Sequence, residues 1–498
     1  MMKKNITKIL LMAFLVIGAV ACSSDYFDVN TPSSTAQPEQ LGMSDLLAPV
    51  IHSTMEGQRS AELTFGNYAQ NFVSQGGGAS GEASASGLWN QVFLYVLPNL
   101  NVIKEKAAAE NAVHFAAVAD ILIAINLGIA TDTWDNIPYS EASLGEGNLF
   151  PAFDTQETIY NNIFALLDSA IAALQGPDDS NISLGNADLI YDGDFDQWLR
   201  AAYTLKARYQ LHIVNKGVVT ANDVLTTIAG GFTSTSDDFL MFYDDKNINP
   251  WYSGEILARN TGNFHRDIAS QLVSSMNGDY FPFEGGVVEI DPRLPLFADN
   301  DLDDTGGITE WKGFVSGGAG LAPDGTSANT FFVDGGYYTS IDSPLMLISY
   351  AEAKFIEAEA AFLANGGTTT SVGSNSAANL AYLDGVAASM STYGVSGTDY
   401  MADTAINVGE AGLMLNHILK EKYIHNFLNP ETFVDHRRYD FSDDAFKGLA
   451  IRSEEDSEGD FAGEWFRRAN YPSSEVIRNP DNVSSNMQLP TAPVWWDQ

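Results

Sequence analysis

A single cysteine, Cys22, directly follows an apolar run near the start of this 498-residue chain. Lys3, Lys4 and Lys8 come before the run, which covers residues 9–21. A short apolar segment behind a positive region is typical of a secretory signal, and it is too short to span a membrane as a mature helix. One cysteine can form neither an intrachain disulfide nor a cysteine metal site. The fold therefore needs a large hydrophobic core, which a hydrophobic fraction of 45% can supply.

The end of the apolar run carries a second signal. Val20-Ala21-Cys22 resembles the lipobox of bacterial lipoproteins, in which the cysteine becomes the lipidated first residue of the mature protein. We interpret residues 1–21 as a signal peptide and residues 22–40, rich in Ser, Thr and Pro, as a lipidated flexible tether. Asp25-Tyr26-Phe27-Asp28 resembles the acidic-aromatic signal that directs lipoproteins of the Bacteroidetes type to the outer face of the outer membrane. The alternatives are an ordinary signal peptide with a stray thiol and a chance acidic linker.

The charge balance excludes several partners. The formal net charge is −39, and loss of the three signal lysines leaves 22 basic and 64 acidic residues, a net charge of −42. A surface this acidic repels nucleic acid and anionic lipid head groups. We therefore expect no nucleic-acid partner, and membrane association only through the lipid anchor.

Helical periodicity dominates the chain outside one segment, so we predict a mainly α fold. The expected helices cover residues 43–56, 88–108, 113–127, 195–216 and 413–428. A further helix is expected to begin at a capping box of Asp154 and Glu157. Another is expected to be capped by Ser343, with Pro344 in its first turn, and to end at Gly366. Between residues 218 and 342 periodicity mostly disappears while aromatic residues accumulate, which is typical of a functional loop-rich segment. No segment after the signal approaches 18 consecutive apolar residues, so no membrane span is expected.

Several motifs in this order resemble the SusD/RagB-like family of nutrient-binding outer-membrane lipoproteins. They are the turn at residues 134–142 (WDNIPYSEA), residues 198–208 (WLRAAYTLKAR), 291–295 (DPRLP), 350–360 (YAEAKFIEAEA) and 418–424 (ILKEKYI), and the ending Trp495-Trp496. The resemblance implies tetratricopeptide-like helix pairs packed against irregular loop-rich regions, within a single domain over residues 41–498. It also implies a lipid-anchored protein at the cell exterior that passes a glycan to a SusC-like TonB-dependent transporter of the outer membrane.

Aromatic residues outside the periodic helices are the candidate ligand contacts. Sugars present apolar C–H faces and polar edges, so a binding surface needs exposed aromatic rings with hydrogen-bonding side chains nearby. The candidates are Trp89, Asn90, Trp251, Tyr252, Trp311, Tyr337 and Tyr338. In the resembling family the ligand face tends to be built from loops before and after the central helix pairs, which places Trp89 and Trp311 first. For each residue, packing in the core or in a loop is the alternative.

One acidic loop offers a candidate calcium site. Asp299, Asp301, Asp303 and Glu310 occupy positions 1, 3, 5 and 12 of an EF-hand-like loop. However, Asp304 stands where that loop requires glycine, so a solvated acidic loop is the alternative. We expect no other cofactor.

The sequence contains no recognised catalytic motif. HExxH and GxSxG are absent, and the seven histidines are scattered. We therefore expect a binding protein and no catalytic residues. A peptide-binding subunit of such a transporter and a surface glycoside hydrolase, whose carboxylate pair has no fixed sequence spacing, remain the alternatives.

Overall fold

The computed structural model describes residues 41–78, 81–144, 147–302, 306–307, 310–451 and 461–497. The signal peptide, Cys22 and the tether lie outside these residues. The chain is about 51% helix and 6% strand, which confirms the mainly α prediction. The helices are α1 Met43–Tyr68, α2 Ser86–Asn90, α3 Leu97–Glu110, α4 Val113–Trp134, α5 Gln156–Gln175, α6 Phe195–His212, α7 Ala221–Ile228, α8 Ala258–Asn260, α9 Ser270–Met276, α10 Leu294–Phe297, α11 Tyr350–Ala364, α12 Ser376–Thr392, α13 Thr398–Ala402, α14 Gly409–Gly412, α15 Leu415–His425, α16 Glu431–Arg438, α17 Ser473–Arg478 and α18 Pro480–Asn486.

The long helices pack on one another in chain order, as tetratricopeptide-like helix pairs do. Helices α3 to α7 each contact the next, α7 then contacts α11, and α11 contacts α12 and α15. Small residues allow the close approach of α11 and α12: Ala358 is fully buried, and Gly385 of α12 lies against the ring of Phe355. A β-carbon at Gly385 would lie 2.6 Å from that ring. The alternation of alanine and aromatic residues therefore sets the spacing of this pair.

Helix α4 is the most apolar helix among the described residues. It is long and apolar enough to cross a membrane, but 78% of its most apolar window is buried inside the protein. Its neighbours are α3, α5 and α1. Helix α4 is thus enclosed by the helices that precede and follow it, which explains why apolar residues occur on all of its sides.

Short strands tie the irregular segments together. They are β1 Phe72–Ser74, β2 Ile137–Pro138, β3 Phe153–Asp154, β4 Phe239–Met241, β5 Arg266–Ile268, β6 Ala298–Asp299, β7 Phe331–Phe332 and β8 Leu345–Ile348. Strands β1, β5, β7 and β6 form an antiparallel sheet in that order. The segment between residues 218 and 342 therefore holds strands and short helices as well as loops, fixed by pairing that local sequence does not reveal.

The predicted capping box at Asp154 is wrong. Thr155 is the N-cap of α5, and its hydroxyl accepts the hydrogen bond of the Thr158 backbone N–H at 3.3 Å. The Asp154 carboxylate instead accepts hydrogen bonds from the backbone N–H groups of Tyr139 and Ser140, at 3.1 and 2.7 Å. Asp154 thus holds the turn that follows α4.

The predicted helix start at Ser343 and Pro344 is also wrong. The apolar run Leu345–Ile348 is strand β8, which pairs antiparallel with β4. The helix begins at Tyr350, where the Ser349 hydroxyl accepts the N–H of Glu352 at 3.1 Å. Four consecutive buried residues satisfy their backbone groups better in a strand pair, so the capping function moves to the next serine.

Buried ion pairs tie α11 to the C-terminal helix α16 and to α6. The Arg438 guanidinium contacts Glu359 of α11 and Asp435 of its own helix, and all three side chains are buried. Arg208 of α6 donates from its Nε to Glu352 at 2.8 Å. Such pairs fix one arrangement of the helices, because removal of either partner leaves a buried charge unpaired.

Candidate functional site

An open cleft of about 670 Å³ lies where α9 meets the segment that carries Trp311. Its lining residues are Ser274, Asn277, Asp279, Tyr280, Ile290, Glu310, Trp311, Lys312, Gly313, Ala322, Pro323 and Asp324. The cleft thus combines two aromatic rings with amide, hydroxyl and charged side chains. Trp311 is the predicted ligand contact that lies in it.

Backbone pairing holds the Trp311 segment against α9. The N–H of Ser270 donates to the carbonyl of Phe314 at 2.8 Å, and the N–H of Phe314 donates to the carbonyl of Ile268 at 2.9 Å. A β-carbon at Gly313 would lie 2.6 Å from the Cα of Ser270. Only glycine allows this approach of the two backbones, so Gly313 sets the position of Trp311 two residues earlier.

Hydrogen bonds around Asn277 fix the lining residues of the cleft that follow α9. The Asn277 amide donates to the carbonyl of Trp311 at 3.2 Å and to the Asp279 carboxylate at 2.8 Å. The Tyr280 backbone N–H donates to the carbonyl of Ser274 at 3.0 Å. Trp311 and Tyr280 are both half-buried, and burial raises the pKa of the Tyr280 phenol. These hydrogen bonds fix the backbone that carries the two rings, while part of each ring remains accessible to solvent.

Lys312 forms a compact charge cluster beside Trp311. Its ammonium donates to Glu310, Asp324 and Thr326, with N···O distances of 3.0, 3.0 and 2.9 Å. Hydrogen bonds to Glu310 and Asp324 raise the pKa of Lys312. Hydrogen bonds from Thr326, followed by that from Lys312, lower the pKa of Asp324 to about 2. Lys312 thus fastens the hairpin around Asp324 to the Trp311 segment.

Three predicted ligand contacts lie in the core. Trp89 is 5% exposed and stands edge-on to Trp134, with ring centroids 5.0 Å apart. Trp251 is 1% exposed beneath the guanidinium of Arg59. Tyr338 is 4% exposed. The expectation of an exposed ring at these three positions is wrong, because apolar area of this size is stabilising when buried and the core takes it up.

The other predicted contacts are more accessible but line no part of the cleft. Asn90 is exposed, beside the buried Trp89. Tyr252 and Tyr337 are half-buried, and the Tyr337 ring stands edge-on to Tyr393 at 4.7 Å. A role of these residues in ligand binding stays a prediction.

Sequence reasoning missed the wall formed by Asn277, Asp279 and Tyr280. The signal was present, since Asn277-Gly278-Asp279 has the composition of a turn, and Gly278 has a φ of +91°. A turn that presents a tyrosine is a common way to expose an aromatic ring. Its proximity to Trp311, 31 residues away along the chain, could not be read from the sequence.

The candidate calcium loop is only partly described, because Asp303 lies outside the described residues. The Asp299 carboxylate accepts the N–H of Asp301 at 2.9 Å, and Glu310 pairs with Lys312. Within the described ranges, no group of three or more His, Cys, Asp or Glu side chains is placed to hold a metal ion. Calcium binding here stays a prediction.

Residues 35–472 match the SusD-like family, described as starch-binding and associating with the outer membrane. The match covers most of the chain, and the chain belongs to this family. No curated protein matches it. The predicted membership of the SusD/RagB-like family is thereby confirmed.

Solved structures share the fold. A chitin-binding SusD homologue from Flavobacterium johnsoniae is 22% identical, with a TM-score of 0.68 over 92% of this chain and 97% of that one. A further chitin-binding protein is 21% identical, with a TM-score of 0.73 over 92% and 100% of the two chains. A SusD homologue from Bacteroides uniformis is 21% identical, with a TM-score of 0.72 over 92% and 98%. These likenesses establish the helical architecture of the family for this chain.

Proposed function

We propose that this protein captures a glycan in the cleft beside Trp311 and delivers it to a SusC-like TonB-dependent transporter of the outer membrane. The observation that carries the proposal is the pairing of two half-buried aromatic rings, Trp311 and Tyr280, with hydrogen-bonding side chains in one open cleft. Membership in a family described as starch-binding supports it, as do two structural neighbours described as chitin-binding.

The cleft has the chemistry that sugar recognition requires. An aromatic face gains free energy when the apolar C–H face of a pyranose covers it. The amide of Asn277 and the carboxylate of Asp279 can then orient the ring hydroxyls by hydrogen bonds. Nothing in this arrangement needs a nucleophile or a general acid, so we propose binding without catalysis. Reducing-end analysis after incubation with the bound glycan tests this point, and new ends would favour a glycoside hydrolase.

We predict that Trp311→Ala weakens glycan binding by about 1.5–3 kcal/mol, on the order of 10- to 100-fold, because it removes the apolar platform. A glycan screen with the purified protein identifies a neutral oligosaccharide, and calorimetry then compares the parent with the variant. Affinity should change little with ionic strength, since apolar contact is not screened.

The matched control is Trp465→Ala. Trp465 is also half-buried, but it stacks on Phe441 outside the cleft, with ring centroids 4.6 Å apart. Its removal should leave glycan affinity unchanged. A Trp311→Ala variant that binds like the parent would remove the cleft from the proposal. Binding that weakens strongly with salt would instead favour a charged ligand such as a basic peptide.

We also propose that Cys22 carries the lipid that holds residues 41–498, as one domain, at the outer surface. We predict that Cys22→Ala releases the protein from the membrane fraction while glycan affinity is retained, because several acyl chains on one residue supply the anchoring energy. Cell fractionation measures this, with Ser24→Ala as the control. Retention of the Cys22→Ala protein in the membrane would overturn the lipoprotein interpretation.

A further inference from the structure

We infer that the cleft selects its ligand by charge: it favours glycans with free amino groups over neutral ones and disfavours glycans with carboxylate or sulfate groups, with Asp279 as the residue that determines this specificity. The inference rests on the proposed function, since it concerns the same cleft. Four charged side chains line this cleft, and three of them are carboxylates: Asp279, Glu310 and Asp324, with Lys312 as the cation.

The positive charge in the lining is not available to an anionic ligand. A lysine ammonium has three donor hydrogens. Glu310, Asp324 and Thr326 each accept one hydrogen bond from Lys312. An incoming carboxylate or sulfate would have to displace one of these partners while it also met their negative charge. Lys312 is therefore a structural cation that holds the hairpin and does not attract acidic sugars.

Asp279 is a carboxylate without a cation. Its Oδ2 accepts hydrogen bonds from the Asn277 amide at 2.8 Å and from the Ser274 hydroxyl at 3.3 Å. Among the described residues no lysine or arginine side chain forms an ion pair with it. The side chain is exposed and lines the same cleft as Trp311. An ammonium group on a sugar stacked in the cleft could therefore form an ion pair with this carboxylate.

The direction of the selectivity follows from these charges. A cationic sugar gains an ion pair with Asp279, a neutral sugar gains a hydrogen bond, and an acidic sugar meets a wall of its own sign. Exposed ion pairs are weak, so we expect each contact to contribute a factor of about 2–5 in affinity. Salt should reduce this factor, because the pair faces solvent.

The experiment uses three oligosaccharides of equal length: N-acetylglucosamine units, glucosamine units and galacturonate units. Calorimetry at mildly acidic pH, where the amines are protonated, compares the parent with Asp279→Asn and with the control Asp245→Asn, an exposed acid outside the cleft. In the parent and the control, the glucosamine oligomer should bind about 2–5 times more tightly than the N-acetylated one, and the galacturonate oligomer should bind about 2–5 times more weakly than the N-acetylated one. In Asp279→Asn this ratio should fall toward 1, as it should in the parent at high salt.

The outcomes separate this inference from the proposed function. If the neutral oligomer binds through Trp311 but the ratio is 1, or is the same in Asp279→Asn as in the parent, the charge selectivity is wrong and the glycan cleft stands. Binding of the galacturonate oligomer as tight as that of the neutral oligomer would overturn the inference in the same way. So would a glycan screen in which sugars bind through Trp311 but neither the glucosamine nor the N-acetylglucosamine oligomer binds. A screen in which no glycan binding depends on Trp311 would overturn the proposed function itself.

Discussion

Replacing Arg293 with methionine should lower the free energy of unfolding by about 3–5 kcal/mol, because it removes one of the two cations from a buried charge cluster. The Arg293 guanidinium donates from Nε to Asp291 at 2.9 Å and from Nη2 to Glu421 of α15 at 2.6 Å. Its Nη1 donates to the hydroxyl of Ser389 in α12 at 2.8 Å. Methionine fills much of the volume but leaves Asp291 without a cation and Glu421 with Lys420 alone. Urea unfolding of the purified protein measures the loss.

The same cluster gives this prediction a pH dependence. Burial alone raises the pKa of Glu421, but the charges of Lys420 and Arg293 outweigh it and lower the pKa from 4.5 to about 2. A carboxyl group with a lower pKa in the folded state contributes stability that is fully present above its unfolded pKa and lost as the pH falls through its folded pKa. The difference between the Arg293→Met variant and the parent should therefore be largest above pH 4.5 and shrink as the pH approaches 2.

Two further variants make the result specific. Arg478→Met removes an exposed arginine from α17 and should change the free energy of unfolding by less than about 0.5 kcal/mol. Adding Asp291→Asn to Arg293→Met should recover part of the loss, because it removes a buried charge that has no partner. A loss below about 1 kcal/mol for Arg293→Met would mean that the cluster contributes no more than a surface ion pair.

The helices that the sequence predicts well are those with a strong local signal. Periodicity located α4, α5 and α6, and the structure extends the first expected helix to Tyr68. The errors at Asp154 and Ser343 have a common cause. At each position a plausible cap competes with a partner that is distant in sequence: the turn after α4 for Asp154, and strand β4 for the run after Ser343. Local propensity cannot weigh such partners.

In the candidate site, too, local sequence predicts some features, while others depend on residues that are distant in sequence. The concentration of aromatic residues outside the helices correctly drew attention to Trp311, but it did not separate exposed from buried rings. Trp251 and Tyr338 come from the same loop-rich segment and lie in the core. The residues that complete the cleft are brought together by the pairing of Phe314 with Ile268 and Ser270, which sets two loops side by side. Backbone pairing of this kind is a non-local property, so the site could be predicted only in part.

Replacing Trp89 with alanine should lower the free energy of unfolding by about 3–5 kcal/mol and leave glycan affinity unchanged. Trp311→Ala should instead weaken glycan binding and change the free energy of unfolding much less. The Trp89 ring lies among Phe93, Trp134 and Tyr471, with centroid separations of 4.3, 5.0 and 6.3 Å. Its removal opens a cavity between α2, α4 and the C-terminal segment that these rigid rings cannot fill. Trp311 is half-buried beside an open cleft, so its loss creates no closed cavity and should lower stability much less.

Chemical denaturation and calorimetry on the two variants test this contrast, with affinity measured below the temperature at which Trp89→Ala begins to unfold. Trp89→Phe retains most of the buried area and should recover part of the stability. The decisive result is the pairing of effects. If Trp89→Ala were as stable as the parent but lost glycan binding, Trp89 would be a ligand platform after all, and the core position would have to open in the bound state. Loss of stability with unchanged affinity would instead leave Trp311 as the platform and assign Trp89 to the packing that supports the fold.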